Sequence, residues 1–279
     1  MNIAVIGCGN MGSALVRGLG QQPGHHLVVS DLDEAKVQKA AEGAVSEVVY
    51  APGVAQAAHS AEVVLLVVKP KHIPAALAEA AEHAPDDALF ISCAAGVEMA
   101  TLEEAAPGKR VARCMPNTGA GLGQSTTALL LGGASVAAED LHKARDVLGA
   151  VGEVHVLPDE DSFHVQTALC GSGPAYFLLA AEAMVDEGVR LGMSRSDAAA
   201  HVRGALRAAS ALLDDDAQGA GVGAATLRSH ITSPGGTTIA GLMAMEESGG
   251  RACFHAAVDA AEQRSRQMAA GQGPSGFEG

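Results

Sequence analysis

The run Gly7-Cys8-Gly9-Asn10-Met11-Gly12, set directly behind the apolar stretch Ile3–Ile6, constrains this chain more than any other feature. Ile3–Ile6 reads as a buried strand and Met11–Leu19 as a helix. A G-x-G-x-x-G run between a strand and a helix is the first turn of a βαβ dinucleotide-binding unit. Gly7 then makes the tight turn, Gly9 lets the backbone approach a pyrophosphate, and Gly12 lets helix and strand pack closely. The free N–H groups at the helix start face the phosphates. Ile6, Gly7, Cys8, Gly9, Asn10, Met11 and Gly12 are therefore the expected cradle for NADPH or NADH. An acid about twenty residues further on usually meets the ribose hydroxyls. Ser30 and Asp31 close the second expected strand, Leu27–Val29, with Asp31 nineteen residues after Gly12. A carboxylate there accepts from a 2′-hydroxyl and repels a 2′-phosphate, which favours NADH. Asp33 has two readings, a second ribose acid or the N-cap of the charged helix Glu34–Glu42.

Short apolar runs alternate with helical stretches up to Pro158. Val63–Val68 is apolar throughout, as a strand buried on both faces is. Leu89–Ile91, Arg110–Cys114 and Ala128–Leu131 are further strands, with helices over Ile73–Glu82 and Glu139–Leu148. This alternation predicts an α/β fold, an N-terminal Rossmann-like doubly wound parallel sheet over residues 1–158. In such sheets the strand carboxyl ends line the ligand crevice. Val67-Val68-Lys69-Pro70 ends one strand, and Lys69 there can reach a ribose or a phosphate. Cys93, Ala94 and Ala95 end another with small side chains that let a nicotinamide lie against the backbone. Met115 and Asn117 follow a third, and Asn117 can fix a polar edge. Arg113 reads best as half of a structural ion pair.

Beyond Pro158 the pattern is helical, over residues 159–270, with a disordered tail at 271–279. Helices are expected at Pro174–Leu191, stopped by Gly192, and from a cap at Ser194 to about Leu213, with two more after Pro234 and Gly250. Several of these helices are apolar on more than one face, which predicts burial against a second copy of the chain. In Ser233-Pro234-Gly235-Gly236-Thr237-Thr238 the serine suits an N-cap and the proline the first helical position. The N–H groups that follow are a ready carboxylate site. Ser233, Gly235, Gly236, Thr237 and Thr238 are the expected contacts, and Thr238 adds a hydroxyl.

Composition narrows the classes. A net charge of −14 repels nucleic acid and anionic membranes. The longest uninterrupted apolar run is far too short to span a bilayer. The five cysteines form no Cys-x-x-Cys pair, and no two of the eleven histidines lie three or four apart, so no metal is expected. Reduced thiols and the absence of a signal sequence point to the cytoplasm.

Taken in order, Ile6–Gly12, Val68-Lys69-Pro70, Ser92–Val97, Met115-Pro116-Asn117-Thr118, Gly171-Ser172-Gly173-Pro174-Ala175-Tyr176 and Ser233–Leu242 resemble the pyrroline-5-carboxylate reductases. The resemblance implies reduction of 1-pyrroline-5-carboxylate to L-proline, the last step of proline synthesis, by hydride transfer from NADPH or NADH to the imine carbon C5. It also implies an all-helical C-terminal dimerisation domain that shares the substrate site, and dimers that can assemble into a larger ring. Thr238 is the expected catalytic hydroxyl, beside the ring nitrogen. Departures from the family pattern fall at Val54, Gly119, His164, Gln166 and Cys170, where the family has Asn, Pro, an acid, Val and Ser. Two other readings compete. One is a different imine or hydroxyacid reductase, although the hydroxyacid enzymes need a lysine base and no lysine follows Lys143. The other is a non-catalytic NAD(P)-sensing protein.

Overall fold

The computed structural model describes residues 1–132, 137–219 and 221–271. The last eight positions of the expected tail lie outside them. The chain runs β1 (Asn2–Ile6), α1 (Asn10–Gly20), β2 (His26–Ser30), α2 (Glu34–Ala41), β3 (Glu47–Tyr50), α3 (Val54–Ala58) and β4 (Val63–Leu66). It continues through α4 (Ile73–His83), β5 (Leu89–Ser92), α5 (Met99–Ala105), β6 (Arg110–Met115), β7 (Ser125–Leu131), α6 (Ala138–Gly149), β8 (Gly152–Val156) and α7 (Glu160–Gln166). A π-helical turn, Thr167–Gly171, follows α7.

The strands form one sheet in the order β3-β2-β1-β4-β5-β6-β7-β8. Every neighbouring pair is parallel except β6–β7. The expected doubly wound sheet is thus present, with one antiparallel step. Its cause is local: residues 116–124 form a 3-10 turn rather than a crossover helix, so β7 returns beside β6. The switch in strand order falls at β1, between β2 and β4, with the glycine loop at its carboxyl end. Alternation along β1 fills both faces. Ile3 and Val5 pack with Leu15, Leu19 and Val147, while Ala4 and Ile6 pack with Ile73, Leu77 and Phe163. β4 is fully buried along its length, as its apolar run requires. The outer strands β3 and β8 were not expected from the sequence.

Packing divides the described chain into two units. The first is Met1–Ser172 with the chain from Ala261 onward, and the second is Gly173–Ala260. α7 therefore belongs with the sheet, although the sequence pattern changes at Pro158. Phe163 is buried in the sheet's core, Arg113 pairs with Glu160, and His164 Nδ1 lies 2.9 Å from Ser265 Oγ.

The second unit holds α8 (Gly173–Arg190), α9 (Arg195–Gln218), α10 (Ala224–His230), α11 (Thr237–Glu247) and α12 (Gly250–Ala269) up to Ala260. Ser194 caps α9, accepting from Asp197 N at 3.1 Å. α9 does not stop at Leu213 but runs through Asp214-Asp215-Asp216 to Gln218. The reason is Asp216: its carboxylate accepts from Val222 N and Gly223 N at 2.7 and 2.8 Å and so organises the loop after the helix. α10 was not among the expected helices. α8 exposes Phe177, Leu178, Leu179 and Met184. The helical run Glu160–Arg190 spans 31 residues with a mean hydropathy of 1.3 in its most apolar window, a length and composition that a bilayer crossing shares. Glu182 and Asp186 interrupt its apolar residues.

Candidate functional site

The three glycines of the loop divide their work as the sequence implies. Gly7 has φ +102°, and a Cβ there would meet the Val67 carbonyl at 2.8 Å. A Cβ on Gly12 would sit inside the carbonyl oxygen of Gly7, so only glycine lets α1 start this close to β1. A Cβ on Gly9 would meet nothing within 4 Å; that face of the loop is open. Gly9 is the N-cap of α1 and supplies no side-chain cap, which leaves the first-turn N–H groups free for an anion.

A cavity of about 610 Å³ opens beside the loop. It gathers Ile6, Gly7, Gly9, Ser30, Asp31, Val67, Val68 and Lys69 from three strand ends. Cys8, Asn10, Met11 and Gly12 continue the loop into α1, and Met11 packs on the core. Pro70 opens a 3-10 turn, Pro70–His72, that aims Lys71 and His72 at the same cavity. Val54, where the family has Asn, also lines it, as do Leu32, Pro52 and Gly53, which were not among the expected contacts. Leu32 is fully exposed beside Asp31.

Asp31 is less free than its position suggests. Its Oδ2 accepts from Cys8 N at 2.7 Å and its Oδ1 from Asp33 N at 3.0 Å, with Lys36 Nζ 3.9 Å away. Asp33 resolves to the capping reading, accepting from Ala35 N at 3.1 Å. A second cavity, of about 550 Å³, lies along α1 and α2, lined by Cys8, Gly9, Asn10, Ser13, Arg17, Lys36, Lys39 and Ala40.

At the ends of β5 and β6, Cys93 Sγ lies 3.1 Å from Cys114 Sγ, and Ala94 N donates to Ser92 Oγ at 3.4 Å. Ala95 follows in the same turn, and Met115 packs against the core. Asn117 is not a free polar edge. Its Oδ1 accepts from Gly119 N at 2.9 Å and its Nδ2 donates to Cys170 Sγ at 3.2 Å. Two departures from the family pattern meet here: a proline at 119 would lack that donor, and the Cys170 thiol makes a hydrogen bond that a serine also makes. Burial pulls the Arg113 guanidinium below its ordinary range, opposed by Glu160. It stacks 3.9 Å over the Phe163 ring, so Arg113 is structural.

In the second unit, Ser233 is not an N-cap and Pro234 not a first helical residue. Pro234 and Gly235 (φ +67°) are the centre of a tight turn closed by Gly236 N to Ser233 O at 3.1 Å. α11 begins only at Thr237, capped by the Gly236 backbone. The first-turn N–H groups are therefore those of Thr237, Thr238 and Ile239, a few residues later than expected. Thr238 stands in the first turn, so its hydroxyl and the free donors share one helix end.

A glycine loop at the strand-order switch of a largely parallel sheet, followed by a helical unit, defines the class of two-part dinucleotide-binding oxidoreductases. Comparison with known proteins gives the family. Residues 160–268 match the family described as pyrroline-5-carboxylate reductase dimerisation, and residues 2–96 match the NADP oxidoreductases described as coenzyme F420-dependent. The pyrroline-5-carboxylate reductase of Pseudomonas aeruginosa is 38% identical over 271 residues, 96% of each chain. That of Mycobacterium tuberculosis H37Rv is 35% identical over 286 residues, covering 95% of this chain and 96% of its own. The solved Coxiella burnetii enzyme superposes with a TM-score of 0.85 at 29% identity, over 96% of this chain and 98% of that one. The chain belongs to the pyrroline-5-carboxylate reductase family.

Proposed function

We propose that this protein reduces 1-pyrroline-5-carboxylate to L-proline, with NADPH or NADH as hydride donor. The observation that carries the reading is the start of α11. The first-turn N–H groups of α11 have no side-chain cap and Thr238 stands in the same turn, within a chain that matches curated reductases along 96% of its length. The N–H groups of Thr237, Thr238 and Ile239 hold the substrate carboxylate. The Thr238 hydroxyl meets the protonated ring nitrogen, which keeps the imine electrophilic. A reduced nicotinamide held at the loop would supply the hydride for C5, with the C=N π electrons passing to the ring nitrogen. Strand ends at Val67–Lys69 and Cys93–Ala95 hold the cofactor. Positioning carries most of such a reaction, since neither partner needs a strong acid or base.

The exposed apolar side chains of α8, with Leu212, Leu213, Met243 and Met245, support self-association through the second unit into a homodimer, and dimers into a ring. In this reading the Glu160–Arg190 run is covered by a second copy and not by lipid, nucleic acid is no partner, and the protein works in the cytoplasm with its five cysteines free. The test is direct. Purified protein with pyrroline-5-carboxylate should consume NADPH or NADH and yield proline; no turnover with either cofactor refutes the activity. Light scattering that returns a monomer at micromolar concentration refutes the assembly.

A further inference from the structure

The chain carries five free thiols, and two of them face each other. Cys93 is the first residue beyond β5, and Cys114 stands near the end of β6. These strands are parallel neighbours with Ser92 opposite Arg113, so Cys93 and Cys114 share the next row and the same face. Both pack with the core residues of that face, and their sulfurs lie 3.1 Å apart. The backbone holds them there. Cys93 N donates to Leu66 O at 2.9 Å, and Cys114 is paired with Leu129 of β7 on its far side. The other three thiols meet oxygen instead: Cys8 Sγ lies 3.4 Å from Ser13 Oγ, Cys170 Sγ donates to Thr126 O at 3.5 Å, and Cys253 Sγ donates to Gly250 O at 3.0 Å. Exposure within the pair is uneven. Cys114 has no exposed surface, while Cys93 is half-buried at the carboxyl edge of the sheet, where such folds hold their ligand. The contact with Cys93 and burial push the Cys114 thiol up, so it stays protonated. An outer sulfur that solvent reaches, beside an inner one that its partner reaches, is the arrangement of an attacking and a resolving thiol.

We propose that Cys93 and Cys114 form a redox pair, oxidised by hydrogen peroxide to a disulfide that weakens the hold of the strand ends on the dinucleotide. The Cys93 sulfur attacks peroxide, the O–O bond breaks, and the departing hydroxide takes the Cys93 proton, leaving a sulfenic acid and one water. The Cys114 sulfur then attacks the Cys93 sulfur, the S–O bond breaks, and hydroxide leaves with the Cys114 proton as a second water. Two thiols lose two electrons to one peroxide. Exchange with a dithiol restores both. A disulfide bond is about 2 Å long, so the sulfurs must close by about 1 Å. β6 is held between β5 and β7, so Cys93 at the strand end makes that movement and takes Ala94 and Ala95 with it. The proposal rests on the cofactor reading of the β5 end and not on the substrate.

The experiment treats the full-length protein with hydrogen peroxide, alkylates it in denaturant and maps its peptides by mass spectrometry. A linked Cys93–Cys114 pair should appear, vanish with dithiothreitol, and form more slowly under saturating NADP⁺. Calorimetric titration of the linked protein should show NADP⁺ bound about tenfold more weakly, the equivalent of one hydrogen bond, with full recovery after dithiothreitol. Reduced Cys114→Ala should bind NADP⁺ as wild type does, and peroxide should carry its Cys93 on to the sulfinic acid, which dithiothreitol does not reverse. No linked pair in wild type overturns the proposal, as does a linked protein that binds NADP⁺ as the reduced one does. Both of these readouts are made on wild type and stand even where Cys114→Ala fails to fold. Sulfinic acid on Cys93 at equal rates in wild type and the variant also overturns it. A protein that links the pair and loses NADP⁺ yet turns over no pyrroline-5-carboxylate refutes the proposed activity alone; one that turns it over and never links the pair refutes this inference alone.

Discussion

Two glycines three residues apart should respond to the same substitution in opposite ways. Gly9 is an extended N-cap with φ −71° and ψ −163°, a conformation alanine adopts, and a methyl group there meets nothing within 4 Å. The N-cap preference for glycine over alanine and the entropy alanine removes from the unfolded chain nearly offset each other. Gly9→Ala should therefore change stability by no more than about 0.5 kcal/mol. Its methyl stands on the face where a pyrophosphate approaches the loop. Losing one charge-assisted hydrogen bond, about 1.5–3 kcal/mol, weakens cofactor binding by roughly ten- to a hundredfold. Gly12→Ala places its methyl inside the Gly7 carbonyl oxygen. Gly7 cannot yield, because its own N–H is held by Ser30 O at 2.7 Å and its φ admits only glycine comfortably. Overpacking of this kind costs about 1–3 kcal/mol, only partly offset by about 1 kcal/mol of helix propensity. Urea unfolding followed by circular dichroism, at one fixed protein concentration because a dimer is proposed, reads the first quantity. Calorimetric titration with NADP⁺ reads the second. A Gly9→Ala protein that binds cofactor as wild type does refutes the assignment of the loop. A Gly12→Ala protein with the wild-type midpoint refutes the steric account.

Glu160→Gln leaves Arg113, 2% exposed, without its counter-charge. Because Glu160 is itself 30% exposed, the loss should be about 1–3 kcal/mol rather than the 3–5 of a fully buried pair, and an unchanged urea midpoint would refute it. Thr238→Ala should lower kcat with pyrroline-5-carboxylate by about tenfold or more while the circular dichroism spectrum stays intact. Unchanged kinetics would remove the hydroxyl from the reaction. Cys114 is fully buried and its thiol is pushed up by the hydrogen bond with Cys93 and by burial, while burial raises Cys8. Both should resist thiol reagents in the native protein and react in denaturant, and early labelling of either would contradict the packing.

Features written in consecutive residues were legible in the sequence; features that depend on what a side chain meets were not. The glycine loop needed only the apolar run before it and the helix after it. β4 needed only its own apolar residues. The edge strands β3 and β8 carry Glu47, Glu153 and His155 and are half exposed, so no run of buried residues announces them. Their pairing with β2 and β7 decides them. The end of α9 was misplaced for the same reason: three aspartates look like a break until Asp216 is seen holding Val222 N and Gly223 N.

The site shows the same division in sharper form. Ser233-Pro234 satisfies the local rules for a helix start, yet the chain uses it for a turn, because Gly235 can take a positive φ and close Gly236 N onto Ser233 O. The residue types were right and the register was not. With Asp31 and Asn117 the inventory of donors and acceptors was again right, but their partners were within the protein: Cys8 N and Asp33 N in one case, Gly119 N and Cys170 Sγ in the other. A carboxylate is evidence for a ribose contact only to the extent that its lone pairs face the ligand. Asp31 does not meet that condition, because its oxygens brace the loop through Cys8 N and Asp33 N.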